Sequence, residues 1–117
     1  MNDTTDWIDR VEFPRPWVDL RSWRSRLSNW RMLARHRREL AVEIAEGHVL
    51  NGRRWRIIGI GVPARDDVLL ELDRGEIGLT HVTWRGTPEP PSWPVTTIVR
   101  SAEELRAELA DRGFGTE

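Results

Sequence analysis

The chain has 117 residues, of which 38% are hydrophobic and 32% charged, and its formal net charge is −1. This length suits one domain, and the apolar share can form a hydrophobic core. The absence of cysteine excludes disulfides, thiolate metal sites and cysteine nucleophiles. No apolar run approaches the roughly 20 residues of a membrane span, and the acidic first residues lack a signal-peptide pattern, so we expect a cytoplasmic protein.

The first half of the chain predicts an arm followed by a long helix. Residues 1–16 contain prolines that favour extended chain, and we expect this arm to pack through its apolar residues, Trp7, Ile8, Val11 and Phe13. Residues 19–46 are predicted to form one helix, with Asp19 as N-cap and Gly47 just after its end. Apolar residues at helical spacing predict its core side: Trp23, Leu27, Trp30, Leu33, Ala34, Leu40, Ala41 and Ile44.

After Gly47 the hydrophobic period changes from 3.6 to 2, which predicts a small antiparallel sheet over residues 54–99. About four strands are expected, at 54–62, 68–73, 77–84 and 95–99. Ser101 and Glu104 match a capping box that begins a helix over residues 102–112. The predicted fold is a single α+β domain, 1–117, with the long and the short helix packed on one face of the sheet.

Residues 81–94 contain four prolines and four candidate site residues, His81, Trp84, Glu89 and Trp93. A catalytic His81 requires a nucleophile or carboxylate within hydrogen-bond reach, and the nearest in sequence are Thr83 and Glu89. The apolar residues that alternate with His81 favour instead a hydrogen-bonded histidine at the edge of the core. The proline-rich loop either closes the end of the sheet or presents its tryptophans and its acid to a partner.

The same stretch carries a resemblance. The pattern comprises His81-Val82-Thr83-Trp84, Glu89, Trp93-Pro94 and Thr97, preceded by Gly52-Arg53-Arg54-Trp55 and Asp67-Val68-Leu69-Leu70-Glu71-Leu72. It resembles a cassette of small uncharacterised bacterial proteins and covers roughly residues 47–104. Some of these proteins occur in settings typical of immunity-type or accessory roles. The resemblance therefore implies a small protein-binding role, and it implies no catalytic residue.

Between Leu20 and Arg38 the chain has seven arginines and no acid. Four of them are predicted to form a stripe beside the apolar side of the helix: Arg24, Arg31, Arg35 and Arg38. The stripe suits an acidic protein partner or a nucleic-acid backbone. Alternatively, solvent alone covers it, or the acids of the arm neutralise it within the chain; these are Asp3, Asp6, Asp9 and Glu12.

Two further features of the long helix are unusual. Arg26 and Arg37 fall inside its apolar sector, which predicts that they stack on a tryptophan or pair with a buried acid. The end of the helix has three acids, Glu39, Glu43 and Glu46, although the helix dipole favours basic residues there.

No motif predicts a cofactor or a metal. Gly59-Ile60-Gly61 resembles the start of a dinucleotide-binding turn, but a strand rather than a helix follows, so these glycines predict a bulge or a close approach of the helix to the sheet. The three histidines, His36, His48 and His81, are far apart in sequence. The sequence thus predicts a non-catalytic protein-binding domain. The alternative is a nucleic-acid-binding domain that uses the arginine stripe.

Overall fold

The computed structural model describes residues 6–13, 17–61, 66–88 and 94–112. After a 3-10 turn at Asp6–Arg10, its elements are β1 (Trp17–Asp19), α1 (Trp23–Ser28), α2 (Trp30–Glu43), β2 (Trp55–Gly61), β3 (Asp67–Leu72), β4 (Ile77–His81), β5 (Thr96–Val99) and α3 (Ala102–Asp111). The strands form one antiparallel sheet in the order β1-β2-β3-β4-β5. The predicted α+β class is confirmed, with five strands instead of about four.

The predicted long helix is replaced by a short strand and two helices. Asp19 ends β1, which pairs with β2. The N-cap of α1 is Ser22, whose hydroxyl accepts a hydrogen bond from the Ser25 N–H at 3.2 Å. Asn29, at φ −115° and ψ 28°, separates α1 from α2, and α2 ends at Glu43. The break at Asn29 allows the two helices to present different sides to the sheet.

Each face of the sheet contributes to its own hydrophobic cluster. One cluster contains Leu69 of β3 together with Leu105 and Leu109 of α3. The other contains Leu70 of β3 together with Leu33 and Leu40 of α2, among further residues. The helices α2 and α3 therefore lie on opposite faces, which differs from the expected packing on one face. The physical reason is that β2 and β3 are apolar on both sides, as in sheets covered by helices on each face.

The arm packs against the α3 side of the sheet. Ile8 and Val11 are buried there, and Trp7 and Phe13 pack beside them. A Cβ on Gly59 would lie 3.1 Å from Cε2 of Phe13, and the β2 register shifts between Ile57 and Gly59. The predicted bulge is confirmed at this glycine, whereas the predicted close approach of the helix to the sheet is wrong. The close approach is made by the arm.

Candidate functional site

The first helix presents large apolar side chains to solvent. Trp23 and Leu27 of α1 are 66% and 63% exposed, and Trp30 at the start of α2 is 58% exposed. Among the positions predicted to face the core, Leu33 and Leu40 are buried, whereas Trp23, Leu27 and Trp30 lie outside. No residue of α1 is buried, so this helix contributes little to the core.

Residues 20–38 contain α1 and the first part of α2. Five of their arginines form no ion pair with any residue in the described part of the chain: Arg24, Arg31, Arg35, Arg37 and Arg38. The guanidinium of Arg24 lies 5.1 Å from the ring centroid of Trp23, and that of Arg31 lies 5.2 Å from Trp30. We call Trp23, Arg24, Leu27, Trp30, Arg31 and Arg35 the aromatic–arginine surface.

Neutralisation of these arginines by the acidic arm is not found among the described residues. Asp9 and Glu12 are exposed and form no ion pair within residues 6–13, 17–61, 66–88 and 94–112. Asp3 and the side chain of Asp6 lie outside the described residues. The acids of the arm that the structure describes therefore leave the arginines of the aromatic–arginine surface unneutralised.

An open cavity of about 500 Å³ lies where α1 meets α2. Its lining comprises Ser28, Asn29, Trp30, Arg31, Met32 and Arg35. Two guanidinium groups and an indole thus border one concavity. Such a lining suits an anionic group that is attached to an apolar one.

Two other arginines of the segment hold the fold together. Nη1 of Arg21 donates to the carbonyl oxygens of Ile8 and Val11, at 2.8 Å each. Nη1 of Arg26 donates to the carbonyl oxygens of Leu20 at 3.0 Å and Ile57 at 2.6 Å. Arg26 thus points inward as predicted, but its partners are main-chain carbonyls. Arg37, predicted to behave in the same way, is exposed.

Trp84 is half-buried and held by four contacts. Its backbone N–H donates to Oε2 of Glu43 at 2.8 Å, and its Nε1 donates to Oδ1 of Asp66 at 2.9 Å. Its ring meets His36 edge-on at a centroid distance of 4.8 Å, and the Arg35 guanidinium lies 5.5 Å from its centroid. Its φ of 63° is strained for a bulky side chain. Trp84 therefore anchors the chain after β4, and Arg35 connects it to the aromatic–arginine surface.

Two acids near the end of α2 bind the backbone that follows β4. Glu43 is fully buried and accepts from the N–H groups of Thr83 at 3.0 Å and Trp84 at 2.8 Å. Glu39 accepts from the N–H of Gly86 at 2.7 Å. Burial, followed by a hydrogen bond to Glu39, raises the pKa of Glu43, although the bonds from residues 83 and 84 act in the opposite direction. The sequence signal for this contact was the presence of acids at the end of the helix, where the helix dipole favours basic residues.

His81 is an exposed residue at the end of β4. Its Nδ1 lies 3.1 Å from Oδ1 of Asp67, and the same oxygen lies 3.8 Å from Nη1 of Arg112. Arg112 also donates to Oγ1 of Thr97 at 3.1 Å. The predicted hydrogen bond of the His81 ring is present. This network attaches the end of α3 to the sheet.

The structure places His48 and leaves two of the remaining candidate residues outside its description. His48 is buried, with Nδ1 accepting from the Leu50 N–H at 2.9 Å and Nε2 lying 2.8 Å from the Pro94 carbonyl oxygen. Within the described ranges no group of three or more His, Cys, Asp or Glu side chains is arranged to hold a metal ion. No helix within those ranges is long and apolar enough to cross a membrane. Glu89 and Trp93 lie outside the described residues.

Comparison of the chain with protein-family models, curated proteins and solved structures finds no match. The candidate site is therefore defined by its own geometry.

Proposed function

We propose that the chain is a non-catalytic protein-binding domain that docks an acidic partner on the aromatic–arginine surface. The observation that carries this proposal is the exposure of Trp23, Leu27 and Trp30 beside arginines that have no ion pair in the described part of the chain. These three side chains together expose on the order of 400 Å² of largely apolar area, and exposed large apolar side chains that lie close together often mark interaction sites. Trp and Arg are also the residues most enriched at binding hot spots.

The acidic character of the partner follows from charge complementarity. Residues 20–38 contain seven arginines and no acid, whereas the whole chain has a formal net charge of −1. The surface is thus basic on a nearly neutral protein. A carboxylate of the partner that reaches Arg31 or Arg35 gains a charge-assisted hydrogen bond, and the field speeds association.

An accessory or immunity-type role requires only such docking and no turnover. In this proposal, the partner supplies an apolar pocket for Trp23 or Trp30, with acids at its rim. The indoles provide most of the affinity, since fully desolvated aromatic anchors dominate interface energetics. The arginines provide orientation and association rate.

The second candidate is single-stranded nucleic acid, which the stacking of Arg24 on Trp23 and Arg31 on Trp30 favours. Basic grooves with exposed aromatic rings are typical of proteins that stack successive bases. Leu27 lies between the two tryptophans in sequence and offers no ring for stacking, and the net charge of −1 provides no broad positive field. These two observations favour the protein partner.

The test compares retention of partners by three tagged versions of the full chain in lysate of its own host, with and without nuclease. The site variant carries Trp23→Ser and Arg31→Glu. The control carries Arg106→Glu, which reverses an exposed arginine on α3. We expect a stoichiometric protein that survives nuclease, stays with wild type and control, and is lost from the site variant.

A purified binding assay separates the two candidates. Labelled oligothymidine and a labelled glutamate-rich peptide carrying one tryptophan-sized apolar residue are titrated over a salt series. Oligothymidine binding whose logarithmic affinity falls by about 0.7 per logarithmic unit of salt and per phosphate, and which is lost in the site variant, supports the nucleic-acid candidate. Equal retention of every lysate protein by the site variant and the control overturns the protein-docking proposal.

A further inference from the structure

The strand β5 lies at the edge of the sheet. The strand order ends with β5, and its strand neighbour in the described chain is β4. An edge strand has one row of backbone groups that pair with no neighbouring strand. The identity of these groups can be derived from the register.

Hydrogen bonding alternates along β5. The N–H of His81 donates to the carbonyl of Val95 at 3.0 Å, so these two residues form a hydrogen-bonded pair. In an antiparallel ladder such pairs recur at every second residue, and the register continues without a shift. Thr97 and Val99 therefore bond to β4.

Thr96 and Ile98 consequently turn their N–H and C=O groups away from β4. The next outward N–H, that of Arg100, already donates to Oε1 of Glu104 at 2.6 Å. With respect to the described residues, the open part of the edge is thus the stretch that begins at Thr96 and ends at Ile98. Its main-chain groups match those of another extended chain.

A groove of about 400 Å³ lies beside this open edge. Its lining includes Val49, Arg53, Arg74, Glu76, Ile98 and Arg100. Glu76 is buried and pairs with Arg53 at 2.8 Å and with Arg100 at 2.7 Å. Arg74 is exposed and forms no ion pair with a described residue. With Asp73, which bonds Arg53, the groove has three arginines against two acids and is positive.

We infer that this edge is a second docking site, independent of the aromatic–arginine surface, which receives an extended acidic peptide of a partner protein as a sixth strand. The peptide backbone pairs with Thr96 and Ile98. Its side chain opposite Ile98 points to the same face of the sheet and so enters the groove. There Val49 offers an apolar contact, and Arg74 and Arg100 offer partners for a carboxylate.

Charge distinguishes this occupant from a second copy of the chain. Pairing of β5 with β5 of another copy about a two-fold axis brings two positive grooves to the same interface. Like charges placed face to face oppose association. An acidic peptide neutralises the groove instead, and strand addition is an established way of recognising extended peptides.

The first test is amide hydrogen exchange of the free full-length chain, followed by NMR. We expect rapid exchange at the amides of Thr96 and Ile98 and slow exchange at those of Thr97 and Val99. Slow exchange at Thr96 and Ile98 shows that the edge is already covered, and it overturns the inference.

The second test selects peptides from a phage-displayed random library on the immobilised full chain. We expect selected peptides to combine an acid with a neighbouring apolar residue. Binding of a selected synthetic peptide should slow the exchange of the Thr96 and Ile98 amides. Failure to recover peptides, or protection confined to other residues, overturns the inference.

Variants sharpen the second test. Ile98→Pro removes an outward N–H that the fold does not use, and it should weaken peptide binding about tenfold, the equivalent of one well-formed hydrogen bond. Ile98→Val keeps this N–H and should bind like wild type. If Ile98→Pro does not fold, Arg74→Glu carries the test, with an expected loss of several-fold against unchanged binding by Arg106→Glu. Unchanged binding by Arg74→Glu and by any folded Ile98→Pro overturns the inference.

Discussion

Trp84 and Trp23 each lie beside an arginine, yet the fold uses them differently. The backbone N–H and indole N–H of Trp84 both donate to carboxylates, and its ring contacts His36 and Arg35. Trp23 is 66% exposed, and its ring contact within the described residues is the guanidinium of Arg24. The comparison teaches that residue type does not identify a binding surface. A binding surface is identified by side chains whose polar groups and apolar area have no partner within the fold.

The largest expected effect on stability tests whether the carboxylate of Glu43 holds the backbone around Trp84 in place. Glu43→Ala leaves the N–H groups of Thr83 and Trp84 without their acceptor, and each orphaned buried donor costs about 1–3 kcal/mol. We expect the free energy of unfolding to fall by about 3 kcal/mol, measured by urea denaturation. The control Glu46→Ala changes an exposed acid three residues after the end of α2 and should have little effect. Equal effects of the two variants contradict the proposed role of Glu43.

The next prediction compares two arginines of α1. Arg26→Ala removes charge-assisted hydrogen bonds to two backbone carbonyls and should lower the free energy of unfolding by about 2 kcal/mol. Arg24→Ala removes a solvent-exposed group and should change it by less than about 0.5 kcal/mol. Urea denaturation of both variants measures the difference. A large loss in Arg24→Ala would show that α1 relies on the aromatic–arginine surface for its own stability.

A smaller effect separates the two tryptophans. Trp84→Phe keeps an aromatic ring but removes the indole N–H that donates to Asp66, and it should lower the free energy of unfolding by about 1 kcal/mol. Trp23→Phe should leave stability unchanged and weaken partner binding, since Trp23 is exposed. Thermal unfolding and the lysate assay together measure both properties. A loss of stability in Trp23→Phe together with a loss of binding alone in Trp84→Phe would contradict the roles assigned to the two residues.

The smallest effect is a dependence on pH. Because the pKa of Glu43 is raised above its ordinary value of 4.5, the folded protein keeps this proton at pH values where the unfolded chain has lost it. The resulting stability is complete below pH 4.5 and is lost as the pH rises through the folded pKa. Glu43→Gln should abolish this loss, so its stability should vary less with pH above 4.5 than that of wild type. Urea denaturation across this range provides the measurement.

Two aspartates have lowered pKa values, so their contribution to stability changes with pH in the opposite direction. They determine the lowest pH at which that experiment can be interpreted. Burial raises the pKa of Asp19, but the hydrogen bonds and charge of Arg21 outweigh it and lower the pKa below 3.8. The hydrogen bond from Arg53 chiefly lowers the pKa of Asp73. Their contribution is present above pH 3.8 and is lost as the pH falls through the lowered values. Above pH 4.5 the contributions of these two aspartates no longer change, and the difference between wild type and Glu43→Gln reports on Glu43.

The sequence predicted those elements that local patterns specify. Short apolar runs between turn residues located β3 and β4, and the capping pattern of Ser101 located α3, where the Ser101 hydroxyl accepts from the Glu104 N–H. The packing of the arm through Ile8 and Val11 was likewise predictable from its apolar residues. In each case the interaction that determines the element joins residues close in sequence, or it depends only on which residues are hydrophobic.

The sequence did not predict features that depend on distant contacts. Glu43 is buried because its carboxylate oxygens accept hydrogen bonds from the N–H groups of Thr83 and Trp84, which lie some forty positions away in sequence. Helical periodicity predicted a core position for Trp23, but it cannot register the break at Asn29 that turns α1 outward. The coverage of both sheet faces did have a signal, the continuous apolar run of β3, which is typical of strands buried on both sides.

The strand order has a consequence for how the chain folds. Every strand pairs with its neighbours in sequence, and the connections from β2 to β3 and from β3 to β4 are short. Short loops cost little closure entropy, so the central three strands can form as successive hairpins before the remaining elements dock. Refolding should therefore begin in residues 55–81, with β1 and β5 joining from either side.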